Sequence, residues 1–154
     1  MPTTHATNPP PGPVARYLSE DHDRLDALLQ RATAQAGTID AAAYSEFRAG
    51  LLKHIGMEEK ILLPAAQQAR GGTPLPSAAR LRLDHGALAA LLVPTPTPAI
   101  IATIRRILTP HNALEEEPGG VYNTCEALAG PQAEELLARL RAAGGVHDPF
   151  AIDV

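Results

Sequence analysis

Apolar residues recur at three- and four-residue steps along most of this chain, the spacing that gives a helix one buried face. Leu18, Leu25, Leu28 and Leu29 define such a face in a first helix predicted from Pro13 to about Gln35. Gly37 ends it, and Thr38 or Asp40 can cap the next helix. That second helix runs to about Arg70, with Phe47, Leu51, Ile55, Ile61 and Leu62 as its stripe and Pro64 as a place to kink or stop. A third covers roughly Pro76 to Leu92, with Ser77 as a candidate cap. The proline-rich segment 93–98 is a linker. A fourth starts near Pro98 and carries Ile100, Ile101, Ile104, Ile107 and Leu108, with a local bend expected at Pro110. Pro118-Gly119-Gly120 ends it, and two short helices are expected around Tyr122–Leu128 and Pro131–Ala143.

The fold class that follows is all-α: an antiparallel up-down four-helix bundle with short extra C-terminal helices. Residues 1–12 read as a disordered proline-rich lead, 13–143 as the bundle domain and 144–154 as a loose tail. Composition agrees, because 45% apolar residues with only 3% aromatics leave a core of Leu, Ala and Ile. A net charge of −4 without a basic stripe argues against nucleic acid as a partner. No apolar run is long enough to cross a bilayer, and the N-terminus has no secretory pattern, so a cytoplasmic location is the expectation. Cys125 is the lone cysteine and reads as a small buried hydrophobe.

The chain repeats itself. Residues 21–29 (DHDRLDALL) and 84–92 (DHGALAALL) are identical at six of nine positions. His54 and Glu58 then form an H-x-x-x-E pair in the second helix, as His111 and Glu115 do in the fourth. His and Glu four apart share a helix face, and here it is the apolar face: His54 follows Leu51, and Glu115 lies in phase with Leu108. An ionised carboxylate buried without a partner costs several kcal/mol. No Lys or Arg occupies the matching inward positions, which hold His22 and His85.

A single buried histidine is more often a satisfied core residue, and one H-x-x-x-E pair is weak. Two pairs, each preceded by a D-H helix, point to a bound cation. The candidate metal ligands are therefore His22, His54, Glu58, His85, His111 and Glu115. Donors of nitrogen and oxygen without sulfur suit iron, manganese or zinc. Glu59 and Glu116 lie one residue off the site face and are expected in solvent. The repeat of Asp21 and Asp84 beside the histidines allows a role in supporting the ligands, but a surface position or helix-end duty is the expectation; Tyr122 can reach the site rim, but packing is the expectation. His5 and His147 lie in the tails and are given no role.

The order His, H-x-x-x-E, His, H-x-x-x-E, with the local motifs KHIGMEEKILLPA and HNALEEEPGGVY, resembles the hemerythrin-like, or HHE cation-binding, family over roughly residues 15–128. The resemblance implies an up-down four-helix bundle and two non-haem iron ions joined by an oxo or hydroxo bridge. By position, Glu58 and Glu115 are implied as bridges, His22 and His54 as ligands of one iron, and His85 and His111 as ligands of the other. Oxygen-carrying relatives have a further histidine one turn after the third-helix His, where this chain has Ala89. The family's aromatic before the second-helix proline is also absent, the chain reading Leu62-Leu63-Pro64. These departures count against reversible oxygen carriage and leave the metal site intact. The expected function is binding of dioxygen, nitric oxide or peroxide for sensing, storage or iron and oxygen handling. The alternative is a di-iron enzyme with peroxidase- or catalase-like, or oxygen- or nitric-oxide-reducing, activity. A third possibility is a metal-stabilised bundle acting through a partner surface. Sequence leaves the oligomeric state open.

Overall fold

The computed structural model describes residues 10–144; all of the predicted tail but Gly144 and most of the predicted lead, with His5 and His147, lie outside them. Helix α1 (Pro13–Ala32) opens on a proline, whose fixed φ suits the first turn and which lacks an N–H to satisfy. No neighbouring side chain caps it. The Glu126 carboxylate does so from far along the chain, accepting from the Val14 and Ala15 amides at 3.1 and 3.0 Å. The helix stops at Ala32, short of the expected Gln35.

Of the two candidate caps, Asp40 starts α2 (Ala41–Met57), its carboxylate accepting from the Ala43 amide at 3.1 Å. The predicted second helix does reach Ala69, but in three parts. A π-helical turn (Glu58–Leu62) separates α2 from α3 (Leu63–Ala69), which carries Pro64 in its first turn. Proline has no amide to give and crowds the carbonyl one turn back, and the wide turn just before it relieves both problems. Helix α4 (Ala78–Leu91) has no side-chain cap from Ser77. Helix α5 (Pro98–Glu116) is capped by the Thr97 hydroxyl and continues through Pro110. After a turn at Gly119 (φ +73°), α6 (Val121–Ala129) and α7 (Ala133–Gly144) follow, joined by a single 3₁₀ turn.

The core is two apolar clusters with a polar layer between them. One holds Leu18, Leu62, Leu81, Tyr122 and Leu140, and the other Leu25, Leu51, Phe47, Leu88 and Ile104. Reading outward from these clusters gives the topology. Helix α1 passes from Leu18 through His22 to Leu25, and α2 returns from Leu51 through His54 and runs into the π-helical turn with Glu58 and Leu62. Helix α4 goes from Leu81 through His85 to Leu88, and α5 comes back from Ile104 through His111 and Glu115. The four main helices therefore run up, down, up and down, as expected. Helices α6 and α7 are more than appendages: Val121, Tyr122, Cys125, Leu136, Leu137 and Leu140 complete the first cluster and close that end of the bundle. Among the described residues no helix is long and apolar enough to cross a membrane.

Candidate metal centre

The polar layer is made of six buried side chains: His22, His54, Glu58, His85, His111 and Glu115, none more than 6% exposed. They fall into two overlapping groups. His22, His54, Glu58 and Glu115 bring donor atoms close enough to share one ion, and so do Glu58, His85, His111 and Glu115. The imidazoles sit in pairs, His22 against His54 with ring centres 4.6 Å apart and His85 against His111 at 4.9 Å. Both carboxylates stand between the pairs. Glu58 Oε1 lies 2.9 Å from His85 Nε2, and its Oε2 lies 3.6 Å from His54 Nε2. Glu115 Oε1 is 3.2 Å from both His22 Nε2 and His111 Nε2.

Each imidazole turns Nε2 inward and Nδ1 outward, and each Nδ1 faces a carboxylate from another helix. His54 Nδ1 donates to Asp21 at 2.7 Å, His85 Nδ1 to Glu59 at 2.7 Å and His111 Nδ1 to Asp84 at 3.0 Å. His22 Nδ1 is the loosest, 3.4 Å from Glu116 and without a hydrogen bond. The four acids therefore form a ring: α1 braces α2, the turn after α2 braces α4, α4 braces α5 and α5 faces α1. Such contacts orient each ring so that Nε2 points at the centre, where it can bind a cation once it has lost its proton. This corrects the expectation that Glu59 sits in solvent and Asp21 and Asp84 at the surface; Glu116 is exposed, as expected. The other three are only 15–26% exposed and reach inward past their own helix. The signal was in the sequence: an acid adjoins four of the six site residues, before His22 and His85 and after Glu58 and Glu115.

Tyr122 is the second correction. Far from merely packing, it is 1% exposed and places its hydroxyl inside the polar layer. It donates to Glu58 Oε2 at 2.8 Å, lies 3.2 Å from Glu115 Oε1, and stands 3.0 Å from both His22 Nε2 and His54 Nε2. Pro118, Gly119 and Gly120 make this reach possible by turning the chain back at the end of α5. Cys125, one turn beyond Tyr122, is buried and free as expected, with burial and then the two glutamates pushing its thiol up to about 12.

Electrostatics show what this layer lacks. Burial opposes charge on all four imidazoles, yet the carboxylates beside them prevail and raise every one. In His54, Glu58 and the bond to Asp21 overcome the burial and push it up to about 10. Burial and the nearness of Glu58 raise Glu115, whereas contacts with Glu115 and the imidazoles overcome burial and hold Glu58 well below the usual carboxylate range. Glu115 Oε2 is buried with no partner at all. Among the described residues no Lys or Arg is buried. Buried carboxylates, inward-facing Nε2 atoms and an orphaned oxygen are together the donor set of a cation site.

The hemerythrin HHE cation-binding domain matches residues 14–118, a span containing all six converging side chains. The chain belongs to the hemerythrin HHE family. No curated protein and no solved structure matches it significantly. Within the HHE domain, Ala89 lies one turn after His85 and is half-buried. The matched span ends before Tyr122.

A cavity of about 330 Å³ opens between α1 and α5. Its walls are apolar at Leu25, Phe47 and Leu108, and it touches His22, Asn112 and Glu116.

Proposed function

We propose that this hemerythrin HHE protein holds two non-haem iron ions and uses them to bind a small ligand, dioxygen, nitric oxide or peroxide, for sensing, storage or iron and oxygen handling. His22 and His54 serve one iron, His85 and His111 the other, and Glu58 and Glu115 span both. The observation that carries this reading is the sharing of two buried carboxylates by two separate histidine pairs. Bound iron supplies Lewis acidity and redox chemistry that the side chains lack. The chain's own residues supply the rest. The ring of outer acids orients the imidazoles, and the apolar clusters above and below keep bulk water from the donor layer.

A second reading, a di-iron enzyme that turns over peroxide or reduces oxygen or nitric oxide, is favoured by one observation. The cavity beside His22 and Glu116 is larger than a diatomic ligand requires and brings polar groups and solvent near the centre.

Metal analysis together with the optical spectrum of the iron-loaded protein tests the main reading. About two irons per chain with an oxo- or hydroxo-bridge absorption are expected; a single zinc after careful iron loading would sink it. Steady peroxide consumption selects the enzyme, and reversible ligand uptake without consumption selects the binding protein.

A further inference from the structure

The Tyr122 hydroxyl has more polar neighbours than it can bond. A phenol has one proton to donate and two lone pairs. Here four donor atoms surround it: His22 Nε2 and His54 Nε2 at 3.0 Å, Glu58 Oε2 at 2.8 Å and Glu115 Oε1 at 3.2 Å. These are the same four residues that form one of the two candidate ion groups. Metal–nitrogen and metal–oxygen bonds of about 2.0–2.2 Å at right angles put adjacent ligand atoms about 3 Å apart. The spacing around Tyr122 Oη is therefore that of donors arranged about a common ion, with the phenolic oxygen as one of them.

The other ion group has no equivalent. Tyr122 follows His111 by eleven residues, and the residue eleven after His54 is Ala65. The bundle's internal repeat thus supplies the histidines and glutamates twice and the tyrosine once.

We infer that Tyr122 is a metal ligand, its phenolate oxygen completing the ion position of His22 and His54 and making the two positions chemically unequal. The inference rests on the two-iron reading above. The first position then has five protein donors: two imidazoles, two carboxylates and the phenolate. The second has four, from His85, His111, Glu58 and Glu115, with Ala89 where a further histidine would reach. When the metal–oxygen bond forms, the phenol proton passes to solvent, so the metal gains one anionic donor and one proton is released.

The test uses the full chain, made metal-free, loaded anaerobically with ferrous iron and oxidised with ferricyanide. The wild type is expected to show a visible phenolate-to-iron charge-transfer band, and resonance Raman excitation into that band to enhance tyrosine ring modes. Tyr122→Phe keeps the ring volume and should bind the same amount of iron with the band and the modes abolished. Tyr17→Phe and Tyr44→Phe should retain both. If Tyr122→Phe does not fold, wild type carrying ring-deuterated tyrosine, read beside the Tyr17 and Tyr44 variants, still decides the matter. Iron-loaded wild type without the band, or the same band in Tyr122→Phe, overturns the inference and leaves the two-iron reading standing. A protein that takes up no iron overturns both.

Discussion

Glu58 and Glu59 are neighbours in the chain and close on opposite nitrogens of one imidazole: Glu58 Oε1 lies 2.9 Å from His85 Nε2, and Glu59 Oε1 lies 2.7 Å from Nδ1. Successive residues on a helix point about 100° apart, so one of the two would ordinarily face away. Both are in the π-helical turn, whose extra residue per turn changes the phase just where the site needs it. The inner glutamate can meet the ion while the outer one holds the ring.

Because Glu58 faces both histidine pairs, Glu58→Ala is expected to lose both metals together. Glu115→Ala should do the same. The metal-free bundle should persist at lower stability, since metal binding is linked to folding. Metal content after gel filtration, with thermal unfolding, checks this. One tightly held iron in either variant would show that carboxylate to be a terminal ligand.

Replacing an outer acid acts through the imidazole. Glu59→Gln and Asp21→Asn keep size and shape but remove charge from His85 Nδ1 and His54 Nδ1. Each should weaken metal affinity by about 10- to 100-fold with the fold unchanged. Glu116→Gln should have the smallest effect, because its contact with His22 is the longest of the four. Competitive titration against a chelator measures the order; equal losses in all three variants would contradict it.

The metal-free protein should lose stability as pH rises. His54 has its proton affinity raised from 6.5 to about 10 by Glu58 and Asp21 against the cost of burial. His22, His85 and His111 shift in the same direction. A raised value means that the folded state holds protons the unfolded chain has released, so this stabilisation is complete below pH 6.5 and disappears on the way to about 10. The melting temperature of the metal-free protein should therefore fall across that window. In the loaded protein the metal replaces the protons, and the fall should be absent. A flat profile for the metal-free form is the result that contradicts this.

Gly120 is required by contact rather than by backbone angle. A Cβ there would lie 2.6 Å from the Leu114 carbonyl oxygen and 2.8 Å from that of Glu117, both backbone atoms that cannot swing aside. Gly120→Ala should cost about 1–3 kcal/mol and move Tyr122 out of the polar layer. Denaturant unfolding gives the first, and loss of any tyrosine-dependent visible absorption in the iron-loaded protein gives the second. A variant as stable as wild type would mean that the turn can rebuild itself.

Sequence carried the bundle and the six inward residues because both follow from periodicity: helical apolar spacing marks the buried face, and His22, His54, Glu58, His85, His111 and Glu115 sit in phase with it. Periodicity also misled. It put Glu59 on the solvent side, since a regular helix turns it away, and the π-helical turn at Glu58–Leu62 has no apolar signature. Asp21 and Asp84 were repeated in plain view, but an acid beside a buried histidine looks like a helix surface until the neighbouring helix is in place. Tyr122 was hidden for another reason. Its position depends on a three-residue turn and on contacts with His22 across 100 residues of chain, and no local pattern encodes them.

The link between Glu126 and the start of α1 bears on the order of assembly. The first turn of the first helix is held by a carboxylate that follows Val14 by 112 residues. A ribosome making this protein releases α1 long before its cap exists, and bringing such distant partners together is the slow part of folding. The cluster around Phe47 and Leu88 needs only the chain up to Leu108. The far end, with Val14, Tyr122 and Leu140, waits for the last two helices. We therefore expect the Val14 and Ala15 amides to gain protection from hydrogen exchange after those of Phe47 and Leu51 during refolding. Simultaneous protection would contradict this order. The bundle would then close from one end to the other, and the metal layer would be sealed only when synthesis is nearly done.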